Sequence, residues 1–315
     1  MHSFVIGPDA FDVVVVSGKD AERFLQGQLT CNVAELANGQ WVHGACCNNK
    51  GRVIAAFVLV RHRDNFYLCM TRGVAQLLVA ALQKFIPFYK CTMDLQPGRH
   101  HLYGLTGECA KHATATATAM VPGGANTLLY PPGDDEGWLC LLDGSPRCAL
   151  WWSSYPAEEA NHLADGTVAG SREQWESLAL LRGHYPFGPQ DSGEHSPQDL
   201  NFDHSGYVSF NKGCYTGQEI VARMHYRGKP KKQLCLLRTR DAHNDGAKLS
   251  ISDASGLPVG TLLLTRPLGS SWLVLAQIPA DFSEPFDSLL CAGRPVIAGS
   301  AFDGKVIQSS PFFSS

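Results

Sequence analysis

The sequence predicts an α+β chain: two successive sheet-and-helix units followed by a smaller all-β unit. Three observations predict it. Short apolar runs alternate with amphipathic helical stretches over residues 11–95, and the same order starts again after Pro97. Beyond Pro230 the helical spacing gives way to strand-length pieces split by Gly, Pro and Asp-Ser turns. At roughly 100 to 200 residues per domain, a chain of 315 residues holds two domains or three small ones, here placed at 1–96, 97–230 and 231–315.

In the first unit, residues 11–16 read as a strand, and Ser17 with Asp20 has the spacing of a capping box opening a helix through Phe24, Leu25 and Gln28. Apolar runs at 41–46, 52–60 and 66–70, separated by turn-rich stretches at 48–51 and 63–65, predict consecutive antiparallel strands. Val74, Leu77, Leu78, Ala81, Leu82 and Phe85 recur at helical spacing until Pro87, before a strand at 89–95. Helices on one face of a mixed sheet follow from this order.

The second unit repeats the order: strands at 102–106, 128–130 and 138–142, a short helix near Glu108 and another from Ala157. The alternating Ala/Thr tract at 113–119 reads as a loop or frayed helix end. Ser171 with Gln174 makes a second capping box, and the helix it opens sets Trp175, Leu178, Ala179 and Arg182 on one face before Gly183. The last strands, at 233–237, 247–251, 259–265 and 272–278, suit a small barrel or sandwich.

Composition excludes several function classes. A net charge of -3 gives no global field for holding polyanions. No apolar stretch approaches the roughly 20 residues of a membrane helix. Asp9, Asp12 and Asp20 argue against a secretory or mitochondrial leader. Eleven cysteines, an odd number without a CxxC pair, fit a reducing cytoplasm, and Cys69, Cys140 and Cys235 sit in apolar runs as small core residues. The twelve histidines form no HExxH and no Cys-His finger, and no glycine-rich phosphate loop is present.

The stretch that carries chemistry is Phe210-Asn211-Lys212-Gly213-Cys214-Tyr215-Thr216-Gly217-Gln218-Glu219, followed by the helical Ile220-Val221-Ala222-Arg223. A cysteine just before a helix, with Lys212 beside it, is placed for thiolate formation, which makes Cys214 a nucleophile or metal ligand; a structural cysteine is the equal alternative. Gly213 and Gly217 permit close backbone approach or positive φ. Arg223, Arg227, Lys229, Lys231 and Lys232 form the densest basic cluster, read first as a solvated hinge and second as a dock for an anionic group. His184, His195, His204 and His225 surround the segment in sequence and read as surface or core residues.

The octapeptide at 212–219 matches the signature of the YgfZ family, cousins of the glycine-cleavage T-protein. Phe24-Leu25-Gln26-Gly27-Gln28-Leu29-Thr30 resembles the family's N-terminal segment, Asn49-Lys50-Gly51-Arg52 its following turn, and Pro197-Gln198-Asp199-Leu200 the stretch upstream of the signature. The resemblance implies a three-domain ring of two α+β (ferredoxin-like) domains and a C-terminal β-barrel around a hole that binds tetrahydrofolate. It also implies a role in iron-sulfur protein maturation and, through iron-sulfur methylthiolating enzymes, in tRNA modification.

Phe11 and Trp175 align with aromatic residues lining the family's folate site, where a flat pterin stacks. Glu194 resembles the T-protein carboxylate that reads the pterin edge. Tyr215, Gln218 and Arg223 join them as candidate folate contacts. One departure matters: Ala56 stands where the T-protein carries a catalytic aspartate, and alanine moves no protons, which argues against aminomethyl transfer.

Two functions of different class follow. In the first, the chain is a folate-binding accessory factor in which Cys214, with Lys212 beside it, supplies a thiolate to an iron-sulfur cluster. A single suitable thiol predicts a shared cluster and hence a partner among iron-sulfur assembly proteins or enzymes. In the second, it is a folate-dependent one-carbon transferase or demethylase with Cys214 as nucleophile or methyl acceptor. A pure RNA-binding module is disfavoured by the charge and by the lack of an RRM-like aromatic motif.

Overall fold

A computed structural model describes residues 3–95, 101–119, 126–130, 137–142, 148–153, 168–228, 230–241, 250–307 and 312. Its first sheet is five-stranded. It comprises β2 (Phe11–Ser17), β3 (Gln40–Cys47), β4 (Val53–His62), β5 (Asn65–Thr71) and β6 (Thr92–Asp94) in the order β3-β4-β5-β2-β6, all antiparallel. Helices α1 (Ala21–Gln26) and α2 (Ala75–Leu82) cover one face.

The second sheet contains β1 (Phe4–Ile6), β7 (His101–Thr106), β8 (Thr118–Ala119), β9 (Leu128–Tyr130), β10 (Trp138–Leu142), β11 (Cys148–Ser153) and β12 (Val168–Ala169), in the order β12-β1-β7-β11-β10-β9-β8. Its helix α3 (Gly107–Thr116) packs on the outer face, whereas α4 (Arg172–Leu181) runs from this sheet toward the C-terminal one. That third sheet holds β13 (Lys232–Thr239), β14 (Ser250–Ser252), β15 (Pro258–Leu268), β16 (Ser271–Pro279), β17 (Leu290–Cys291), β18 (Arg294–Pro295) and β19 (Ala298–Ala301). It curls as a half-barrel, with β18 and β19 at its open edges. The sheet-and-helix composition is the α+β class expected, with the all-β unit at the C-terminus.

Strand periodicity explains how the layers join. In β2, Phe11 and Val13 enter the core shared with the second sheet while Val14 and Val16 face the helices. In β10, Trp138, Cys140 and Leu142 point to the same shared core and Leu139 to the α3 side; in β13, Leu234 and Leu236 pack on the first unit while Cys235 and Leu237 fill the third sheet's own core. Each strand is therefore apolar on both faces, as expected where sheets are covered twice.

Two local expectations change. The Ser17–Asp20 capping box does not form, because Ser17 ends β2 and pairs its hydroxyl with Thr92, while Asp20 accepts from the Lys90 amide. The Ala/Thr tract is helical through Thr116, with Ala113 buried under the second sheet, since small side chains let α3 approach it closely. The helix read from Ala157 lies outside the described residues. Ser171 and Gln174 do form the second capping box, at 3.2 and 2.8 Å.

Candidate functional site

The signature loop is held by the N-terminal segments that resemble the same family. Lys212 Nζ donates to the carbonyls of Gln26 (2.9 Å), Leu29 (2.5 Å) and Cys31 (2.8 Å), so its three donors converge on the turn after α1. Burial lowers its pKa to about 8. Thr216 adds a backbone bond to Gly27 (3.3 Å) and a hydroxyl bond to Gln28 (3.1 Å). Tyr215 is buried, and its amide donates to Gln218 Oε1 at 3.3 Å.

Helix α5 (Gln218–Arg227) then starts from Gly217, whose φ of +84° is open to glycine. The turn at 48–52 packs on this start, and Arg52 reaches the Glu194 carbonyl (3.0 Å) and Asp199 (3.4 Å). Segments distant in sequence thus hold the loop that carries Cys214, the one exposed thiol of the eleven cysteines. Gly213 meets no neighbour within 4 Å and has no positive φ, so its glycine is not required by the fold. Outside this loop, α5 presents Arg223, Arg227, Ile220, Met224 and Tyr226 outward; Lys229 lies outside the described residues.

A second feature is the cavity of about 110 Å³ between the first two sheets and α4. Phe11 and Trp175 line it, their rings edge to face at 5.6 Å. Trp175, Leu178, Ala179 and Arg182 all contribute, as the helical face read from sequence requires, and Ala56 is in the wall. The carboxylate in the lining, Glu176, is buried and ion-paired with Arg172 (2.7 Å) and Arg266. Tyr185 donates to Asp191 (3.0 Å), whose pKa burial raises.

The structure therefore separates the candidates into two groups. Phe11 and Trp175 share the cavity. Lys212, Cys214, Tyr215 and Gln218 belong to the signature loop, Arg223 to the surface of α5, and Glu194 is exposed beside Arg52; none of these six lines the cavity. Sequence reading missed His43 in the cavity wall and took His184, also in that wall, as a surface or core residue. The signal for His43 was present: two residues along β3 from the buried Trp41, it shares that residue's face.

Among the described residues no group of three or more His, Cys, Asp or Glu side chains could hold a metal ion. No helix there is long and apolar enough to cross a membrane.

The profile of the GCVT N-terminal domain matches residues 5–120. The chain superposes on glycine cleavage system aminomethyltransferase T from Bartonella henselae with a TM-score of 0.70 and 17% identity, covering 99% of this chain and 86% of that one. The tRNA-modifying protein YgfZ of Shigella sonnei is 30% identical over 277 residues, 84% of this chain and 76% of the relative. That of Sodalis glossinidius is 30% identical over 293 residues, 91% of this chain and 87% of the relative. Together with the signature loop and the segments that cradle it, this similarity shows that the chain belongs to the YgfZ family.

Proposed function

We propose that the protein is a tetrahydrofolate-binding accessory factor for iron-sulfur protein maturation that supports tRNA modification indirectly, with Cys214 presented as a thiolate to a partner's cluster. The observation that carries this reading is the pairing of an aromatic-walled cavity, Phe11 against Trp175, with a family signature whose cysteine is exposed. A pterin ring suits such walls, because aromatic pairs contribute about 0.5–1.5 kcal/mol beyond burial. The relatives' description as tRNA-modifying proteins supports the biological direction.

A resident cluster does not fit the described residues, since one exposed thiol cannot supply the several thiolates a cluster needs. The cluster is accordingly cargo or the partner's own. The alternative, a one-carbon transferase, is weakened by Ala56 in the cavity wall and by the absence of Cys214 from the cavity lining.

The test is complementation of a strain lacking its own family member. Cys214→Ser should abolish the activity of an iron-sulfur methylthiolating enzyme while the variant accumulates to parental levels, and full activity with that variant would sink the proposal. Calorimetry with tetrahydrofolate tests the cavity separately, with saturable binding expected and no heat at millimolar ligand refuting it.

A further inference from the structure

His43 and His184 sit against each other in the cavity wall, ring centroids 4.4 Å apart, and Tyr207 stacks on His43 at 4.7 Å. Neither imidazole hydrogen-bonds to a described residue, and the Nδ1 atom of each is sealed from solvent without a partner. An unmet buried polar atom costs about 1–3 kcal/mol, so two in one wall are where a ligand recovers the most. A half-turn of either ring about χ2 exchanges Nδ1 with a carbon and leaves the stack in place, which lets either nitrogen face the cavity.

The charges around the pair restrict the ligand. Burial, with Arg182 adding to it, pulls His184 down to about 3 and His43 well below its ordinary value, so both rings are neutral at pH 7. A neutral imidazole offers one N–H and one lone pair. Glu176 is already ion-paired, and the buried Arg182 disfavours a cationic guest. Glu194, the carboxylate offered by resemblance for a pterin edge, is outside the cavity.

We propose that the His43–His184 pair reads the hydrogen-bonding edge of a neutral, flat heterocycle with adjacent N–H and C=O groups, the lactam edge of a pterin, held against Phe11 and Trp175. This rests on the folate reading of the cavity and adds to it the residues that select the ring.

The experiment is calorimetry on the full chain with tetrahydrofolate, 6-methyltetrahydropterin and the O4-methyl ether of that pterin. The ether keeps the flat ring and abolishes the lactam. It should bind at least about tenfold more weakly than the pterin, the effect of one lost hydrogen bond in a buried site. His43→Phe and His184→Phe, which keep the stacked ring and lose its nitrogens, should weaken the pterin by a similar factor and leave the ether unchanged. Equal affinity of pterin and ether for the parent chain overturns the proposal even if neither variant folds. Absence of binding by both tetrahydrofolate and the pterin overturns the folate reading itself, and this inference with it.

Discussion

Gly217 and Asn48 approach so closely that a Cβ on the glycine would lie 2.4 Å from the Asn48 carbonyl oxygen. This contact seats the signature loop on the turn between β3 and β4, 169 positions earlier in the chain (217 minus 48). Because Gly217 also has φ of +84°, Gly217→Ala meets both a strained backbone and a clash. The expected cost is about 2–4 kcal/mol, from roughly 1–2 kcal/mol of left-handed strain plus displacement of the turn. Urea denaturation measures it, and a loss below about 0.5 kcal/mol would show that the loop is not seated this way.

Lys212→Met removes the ammonium that three carbonyls share. Leaving those acceptors unmet should cost about 2–4 kcal/mol. Lys212→Arg should not restore stability, because a planar fork cannot converge on three carbonyls as a compact ammonium does. Amide exchange in residues 26–31 should accelerate in both variants, and parental exchange rates in Lys212→Met would contradict the clamp.

Thiol accessibility gives a count. Ten cysteines are buried and Cys214 is exposed, so iodoacetamide at neutral pH should add one carbamidomethyl group to the native chain and none to Cys214→Ser. Burial also raises the thiol pKa values of Cys31 and Cys46 to about 12, leaving almost no thiolate there. Mass spectrometry showing rapid labelling at a second site would refute the packing.

Phe11→Leu keeps the strand apolar but removes the edge-to-face partner of Trp175. Tetrahydrofolate affinity should fall by about three- to tenfold, corresponding to roughly 0.5–1.5 kcal/mol. Since Trp175 lines the cavity, its fluorescence should report saturable binding in the parent. A Phe11→Leu dissociation constant equal to the parental one would remove that ring from the site.

The two cavity histidines set a pH dependence. Both have folded pKa values below the ordinary 6.5 because burial penalises the imidazolium. Between pH 6.5 and about 3 the unfolded chain binds protons that folded His184 does not, so this contribution is complete above pH 6.5 and is lost as pH falls. For His184 that loss should reach about 2 kcal/mol by pH 5, and His43 should add to it in the same direction. Thermal melts from pH 7.5 to 5 should therefore decline less steeply in the His43→Phe, His184→Phe double variant, and identical slopes would contradict neutral, buried rings.

Most helices and strands were legible because one period governs each: the α4 face bearing Trp175, Leu178, Ala179 and Arg182 needs only 3.6-residue spacing, and the Ser171–Gln174 cap only a local hydrogen bond. The capping box at Ser17 failed because a strand partner, Thr92, competed for the hydroxyl. That competitor is 75 residues away, where local spacing carries no information.

The amino-acid order by itself determined the α+β class, the signature motif around Cys214, and the aromatic identity of Phe11 and Trp175. Only the tertiary structure decided that Lys212 turns to carbonyls of the α1 turn, that Glu194 stands outside the cavity, and that His43 and His184 meet inside it. The physical reason is that side-chain periodicity is a local property fixed by backbone geometry, whereas burial and the partnering of polar groups depend on which distant segments share a space.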